Sequence, residues 1–282
     1  MAKIMIFPGQ GSQKKGMGQG LFDQFPLLER KVDEELGYSI RELCLNDPDG
    51  KLAFTEYTQV ALYVVNALSY YTAIRSGQRP VAVAGHSLGE YNALLAAEVF
   101  DFRTGLRMVK RRAELMGRAS GGAMAAVIGL APERLRHALD DSGCSEVDIA
   151  NHNSLEQVVI SGLAKDLAKV EVPLRSAGAK SVIPLKVSGA FHSRFMEPAR
   201  AEFESFLRPL LFRAPRLEVI SNVTAAPHTE DSAKALLVQQ IVRPVRWLET
   251  MQRLSAIPDA VFEEVGPGAV LSGLLAKFRA AA

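Results

Sequence analysis

Ser87 lies in Gly85-His86-Ser87-Leu88-Gly89, a serine bracketed by glycines at the spacing G-x-S-x-G. The apolar run Val81-Ala82-Val83-Ala84 leads into it and a helical pattern beginning near Glu90 leads out. This context predicts a nucleophile elbow. Glycines permit the tight strand-to-helix turn, the turn lifts the serine hydroxyl clear of the backbone, and the first amides of the helix face the reaction centre. The amide of Leu88 is then one expected oxyanion donor. The plainer alternative is a turn in which Ser87 only caps the helix; the apolar strand before the motif favours the catalytic reading.

A serine hydroxyl is a weak nucleophile without a base, and the chain holds five histidines. His86 adjoins Ser87, but neighbouring side chains at such a turn diverge. His137 shares a charged helix with Arg134 and Arg136, and His228 lies in the polar stretch Pro227-His228-Thr229-Glu230, so both are expected to face solvent. His192 follows Ser188-Gly189-Ala190 and Phe191 in a partly apolar loop, where an imidazole can be held, and is the best candidate base; a structural core histidine is the alternative. No acidic residue stands out as a third member, so a Ser-His dyad oriented by a backbone carbonyl is as compatible with the sequence as a triad.

The helical pattern from Arg103 to Gly117 separates its cations by spacing. Met108, Arg112, Leu115 and Met116 share one stripe, whereas Arg107, Lys110, Arg111, Glu114 and Arg118 share a polar surface. Arg112 is therefore expected to point inward. A buried guanidinium needs an anion, either an internal glutamate or the carboxylate of a substrate near Ser87, which its planar fork would hold in two places.

The elements that must position these residues alternate. Lys3 to Phe7 reads as a buried strand, Tyr57 to Ile74 as a helix, Val81 to Ala84 as a strand and Tyr91 to Ala97 as a helix, which implies an α/β fold with a parallel sheet. From Gly121-Gly122 onward the rhythm changes to strand (123–130), helix (132–140), strands (147–150 and 158–161), helix (164–177) and strand (181–187). That βαββαβ order predicts a ferredoxin-like subdomain over 122–188, inserted into a larger domain formed by 1–121 and 189–282, which resumes with a helix from Met196 to Leu211.

A chain of 282 residues, 48% of them hydrophobic, can bury a large core, and a net charge of +2 calls for neither a nucleic-acid nor a membrane partner. Cys44 and Cys144 are not at metal-ligand spacing, so no zinc site is expected and a reduced cytoplasmic compartment is the simplest reading. No apolar stretch reaches membrane-spanning length, and Pro8-Gly9 cuts the N-terminal apolar run short of a signal sequence.

Six segments, in this order, resemble the malonyl-CoA:acyl-carrier-protein transacylases of fatty-acid synthesis and the acyltransferases of polyketide synthases. They are Phe7-Pro8-Gly9-Gln10-Gly11-Ser12-Gln13, Gly85-His86-Ser87-Leu88-Gly89-Glu90-Tyr91, Gly122-Ala123-Met124-Ala125-Ala126-Val127, Ala190-Phe191-His192-Ser193, Pro244-Val245-Arg246-Trp247 and Glu264-Val265-Gly266-Pro267-Gly268. The resemblance covers nearly the whole chain. It implies an α/β-hydrolase-like domain with a ferredoxin-like insert, Ser87 as nucleophile, His192 as base, and Arg112 as clamp for the malonyl carboxylate. It further implies oxyanion amides from Gln10 and Leu88 and a main-chain carbonyl of Gln240 that orients His192. Asn151 and Asn153 would line the cleft from the insert, and His86, Phe191 and Gln240 would stand among the residues around the substrate. Gly189-Ala190-Phe191-His192-Ser193 is similar to malonyl-selective polyketide acyltransferases, with Gly189 where those often carry histidine, which tilts the expected pathway toward polyketides and an enzyme acting in trans. The implied partners are malonyl-CoA, as substrate rather than cofactor, and an acidic acyl carrier protein, with Lys180 and Lys186 as docking candidates; no metal is implied, and a monomer is expected. A proofreading acyl hydrolase would share the dyad but have no use for Arg112, and a catalytically silent carrier-binding module would need neither Ser87 nor His192.

Overall fold

The computed structural model describes residues 1–281 and holds strands β1 (Ala2–Phe7), β2 (Ala82–Gly85), β3 (Gly122–Ile128), β4 (Val147–Ser154), β5 (Gln157–Leu163), β6 (Ser181–Pro184), β7 (Glu218–Ile220) and β8 (Ala260–Glu264). Ile4, Met5, Ile6 and Phe7 are fully buried because β1 is covered on both faces, as its unbroken apolar sequence requires. β1 pairs in parallel with β2 and β8, and β2 with β7, so the first sheet runs β7-β2-β1-β8. Alternate side chains go to opposite cores. Met5, Phe7 and Val83 meet the helices Thr55–Arg75, Gly89–Ala96 and Phe102–Gly117, while Ile4, Ile6, Ala84 and Ile220 meet Trp247, Met251 and Leu271 of the helices Trp247–Ser255 and Val270–Ala281.

The second sheet is antiparallel throughout, in the order β4-β5-β3-β6. With the helices Pro132–Asp141 and Ala164–Ser176 it has the βαββαβ order, and Val127, Leu135, Ile160, Val170 and Leu174 make a core of its own. The opposite face of this sheet, including Met124, Ala126, Ala150 and Val159, belongs to the core of the first unit. The two are also stitched through the backbone: Val245 donates to the carbonyl of Ala150 at 2.8 Å and accepts from the amide of His152 at 2.9 Å. At the rim, Arg194 grips Asp148 with side-chain contacts from 2.6 Å and a main-chain N–H at 2.9 Å.

Two elements end earlier than the periodicity predicts. β6 stops at Pro184 rather than continuing to Val187: the Leu185 amide still donates to Met124 at 2.9 Å, but Val187 then donates to the carbonyl of Leu185 in a tight turn, and both side chains line the cavity beside Ser87. The helix expected over 196–211 is a single 3₁₀ turn, Arg194–Met196, followed by an α-helix over Glu197–Leu207; Arg208 still has helical angles and donates to the carbonyl of Glu204, and Pro209, which has no amide to donate, ends the ladder. Among the described residues no helix is long and apolar enough to cross a membrane.

What this arrangement does for function is gather the C-terminal ends of β1, β2 and β7, which bring 8–10, 86–88 and 221–222 to one edge, the place where open parallel sheets bind ligands. The approach of the elbow to β1 is so close that a Cβ at Gly89 would overlap the carbonyl of Phe7, and one at Gly85 would overlap the backbone of Gly89. Gly89→Ala is therefore expected to force helix and sheet apart and to destabilise by about 1–3 kcal/mol, the usual cost of overpacking. A thermal melt indistinguishable from that of the parent would show that the turn relaxes freely, against this reading.

Candidate active site

Ser87 sits where β2 gives way to the helix Gly89–Ala96, with φ at +52°, a left-handed conformation that a non-glycine residue adopts only when its surroundings enforce it. Asn222 enforces it. Its Oδ1 accepts the N–H of Ser87 at 2.7 Å and its Nδ2 donates to the carbonyl of Gly85, also at 2.7 Å, so one side chain from the loop after β7 splints the whole turn.

His192 also has positive φ, +58°, and comes from the loop that follows β6. Its Nε2 is 2.8 Å from Ser87 Oγ and its Nδ1 2.7 Å from the main-chain oxygen of Gln240. A carbonyl can only accept, so Nδ1 carries the proton and Nε2 is left free to take the one on Ser87. The structure thus brings together a Ser-His dyad with a carbonyl in the third position. Burial pushes the imidazole pKa down to about 3, and the guanidinium of Arg112 adds to that effect, so the ring is neutral across the physiological range.

Arg112 is 1% exposed, at the inward stripe of the helix Phe102–Gly117, while Arg111 on the polar side pairs with Glu202. Its fork donates from Nη1 to Gln59 Oε1 at 2.6 Å and from Nη2 to Gln240 Oε1 at 2.9 Å and Ser87 Oγ at 3.0 Å. Tyr91 lies under it, with the ring centroid 5.5 Å from the guanidinium carbon. All of these acceptors are neutral, and Nε has no partner. The internal glutamate that spacing left open is not in contact with Arg112.

A cavity of about 90 Å³ opens beside these groups, lined among others by Gln10, Gln59, Met116, Met124, Asn151 and Phe191. Drug-sized ligands occupy pockets of roughly 300–1,000 Å³, so this one suits a short acyl group. Phe191, 5% exposed, walls it, and its ring lies against the backbone of Gly189, where a Cβ would come within 2.6 Å of the ring. The main-chain N–H groups of Gln10 and Leu88 face no acceptor among the described residues, as oxyanion donors must. His86 turns away from Ser87: its Nε2 meets Asn153 Oδ1 at 2.9 Å, its ring packs on Trp247, and burial lowers its pKa. Asn153 therefore supports His86 rather than lining the cavity, which Asn151 does. Gln240 likewise does not line it; fully buried, it sits behind the site, touching Ser87, His192 and Arg112. Lys180 and Lys186 are not among the residues around the cavity.

Sequence reasoning missed four of the residues that hold the site. Asn222 and Gln59 carry no local signal. Glu90 was visible only as part of the elbow motif. His228, expected in solvent, is 5% exposed, because its backbone pairs with Val219 next to β7 and its ring enters the core to meet Glu90 at 2.7 Å. Its polar neighbours in sequence report the surface on either side and not the inward turn.

The model of the acyl transferase domain matches residues 4–278. The chain is 51% identical over 276 residues to the polyketide biosynthesis malonyl CoA-acyl carrier protein transacylase PksC of Bacillus subtilis, covering 97% of this chain and 96% of that one. Among solved structures it superimposes with a TM-score of 0.97 and 46% identity on a malonyl CoA-acyl carrier protein transacylase from Burkholderia pseudomallei, covering 100% and 99% of the two chains. A type II PKS acyl-carrier protein in complex with its malonyl-transacylase matches at a TM-score of 0.93 and 34% identity, over 99% of this chain and 93% of that one.

A neutral imidazole is the form that accepts a proton, and His192 keeps it well below the ordinary histidine value of 6.5. The rate at which Ser87 reacts with an uncharged fluorophosphonate is accordingly expected to stay level from pH 8 to about pH 5 and to fall only at greater acidity. A half-maximal rate near 6.5 would mean that the imidazole is not desolvated in solution.

Proposed function

This chain belongs to the acyl transferase domain family, and from that premise we propose that it moves a malonyl group from coenzyme A to the thiol of an acyl carrier protein by way of a malonyl ester on Ser87. The relatives named for that activity support the donor and the acceptor. The observation that carries the choice of acyl group is Arg112, a buried cation with only neutral acceptors beside the nucleophile.

In the first half-reaction His192 Nε2 takes the proton of Ser87 Oγ as the oxygen attacks the thioester carbonyl. The amides of Gln10 and Leu88 hold the oxyanion, the C–S bond breaks, and the imidazolium returns its proton to the departing coenzyme A thiolate. In the second, the carrier-protein thiol gives its proton to His192 and attacks the ester, and Ser87 leaves with that proton. The malonyl carboxylate, two carbons beyond the thioester carbonyl, is within reach of the Arg112 fork; binding there fixes the carbonyl against Ser87. A general hydrolase of acyl chains is disfavoured by the same residue and by the small cavity. The 51% identical relative named for polyketide biosynthesis supports a role in that pathway.

Self-acylation followed by intact mass tests the proposal, with Ser87→Ala as the blank that takes up nothing. Arg112→Ala is expected to lower malonyl uptake by roughly 10²–10⁴-fold, the equivalent of losing one partner of a buried charge pair, and to leave acetyl uptake unchanged or raised. Equal losses with both thioesters in a folded variant would make Arg112 a structural residue and remove the support for malonyl. Phe191→Ser, which enlarges the cavity beside the acyl α-carbon, should raise methylmalonyl uptake relative to malonyl by about 10-fold or more. An unaltered ratio would release Phe191 from that role.

A further inference from the structure

Glu90 is completely buried in the first turn of the helix that follows the elbow, and every group it meets is a donor. Its Oε1 accepts the main-chain N–H of Asn222 at 3.0 Å and lies 2.7 Å from His228 Nε2; its Oε2 accepts from Gln240 Nε2. His228 Nδ1 has no partner, so the tautomer protonated at Nε2 is the one that leaves no buried donor unmet. An acceptor-only group is what this nest of donors needs, and a carboxylate is the side chain that supplies it.

The consequence reaches the reacting atoms through Gln240. A side-chain amide has one accepting and one donating end. With Nε2 committed to Glu90 and to the carbonyl of Ser87 at 2.9 Å, Oε1 must face Arg112, which it does at 2.9 Å. Turned over, the amide would set its NH₂ against the guanidinium and its oxygen against both the carboxylate and the carbonyl. Glu90 also places the counter-charge for Arg112 one amide away rather than in contact, so the arginine is balanced yet still free to bind a carboxylate. The same carboxylate also holds the backbone of Asn222, whose side chain splints Ser87.

We propose that Glu90, held by His228, is a positioning residue that fixes the orientation of the Gln240 amide and thereby aims Arg112 at the acyl group. Its effect on substrate choice rests on the malonyl reading of the site; its effect on geometry does not. Glu90→Gln puts an NH₂ among donors while changing size very little. The malonyl-to-acetyl ratio of self-acylation is expected to fall roughly tenfold or more, the effect of one lost charge-assisted hydrogen bond, with the loss concentrated in KM for malonyl-CoA. A folding defect would lower both thioesters together and leave the ratio alone. His228→Leu should shift the ratio in the same direction, and His228→Gln, which restores a donor to Glu90, should recover most of what the leucine loses. Should Glu90→Gln fail to fold, the contrast between the two His228 variants decides the matter, and equal ratios in both would overturn the proposal. A parent protein that takes up no malonyl group would sink the malonyl reading and leave the positioning role to a crystal structure of the Glu90→Gln or His228→Leu protein. Gln240 Oε1 still within hydrogen-bond reach of Arg112 there would overturn it.

Discussion

A guanidinium buried to 1% with no carboxylate in contact is the condition around which the rest of this site is arranged. Desolvating such a cation is costly, and a directly bonded glutamate would be the ordinary remedy. That remedy would also neutralise it as a receptor. Here Gln59, Gln240 and Ser87 supply oriented dipoles, the face of Tyr91 adds its quadrupole, and the negative charge of Glu90 stands behind an amide. The arginine is tolerated without a direct counter-ion, which is what the proposed binding of a short carboxylated acyl group requires.

The same environment sets the behaviour of His192. Burial and the nearby positive charge both disfavour imidazolium, which keeps the ring neutral, while the Gln240 carbonyl holds the tautomer whose Nε2 is free to accept a proton. Gln240 therefore makes two contacts from one residue, main chain to His192 and side chain to Arg112. That coupling ties the placement of both side chains to a single helix end, that of Glu230–Gln240.

Backbone strain is concentrated at the candidate dyad. Ser87 and His192 both hold left-handed backbone conformations, each paid for by bonds to distant segments. Asn222 reaches from the end of β7 to lock the elbow, a contact that exists because β7 lies beside β2 in register, Ala84 opposite Ile220. The second sheet supplies Met124 and Asn151 to the cavity and the segment after β6 adds Leu185 and Val187, while the backbone bonds of Val245 to Ala150 and His152 tie β4 to the first unit.

The elements with dense local signals were legible in the chain itself. An unbroken apolar run marks a doubly covered strand, G-x-S-x-G after such a run marks an elbow, and the stripe of Met108, Arg112, Leu115 and Met116 marks which arginine turns inward, because all three depend on neighbours within a few residues. The partners of those residues were decided elsewhere. Gln59, Glu90, Asn222 and His228 are scattered over the sequence, and none has a spacing that singles it out. They meet because parallel strands carry their C-terminal ends to one edge, and sequence pattern reports which face a residue takes and not what waits opposite it. For that reason the polar surroundings of His228 pointed to solvent, while the register of β7 put its ring in the core against Glu90. Residue types and spacing singled out Ser87, His192 and Arg112 as candidates, and the resemblance implied their roles. Their shared geometry, and the choice of an amide instead of a carboxylate against Arg112, came only from the packing of long-range contacts.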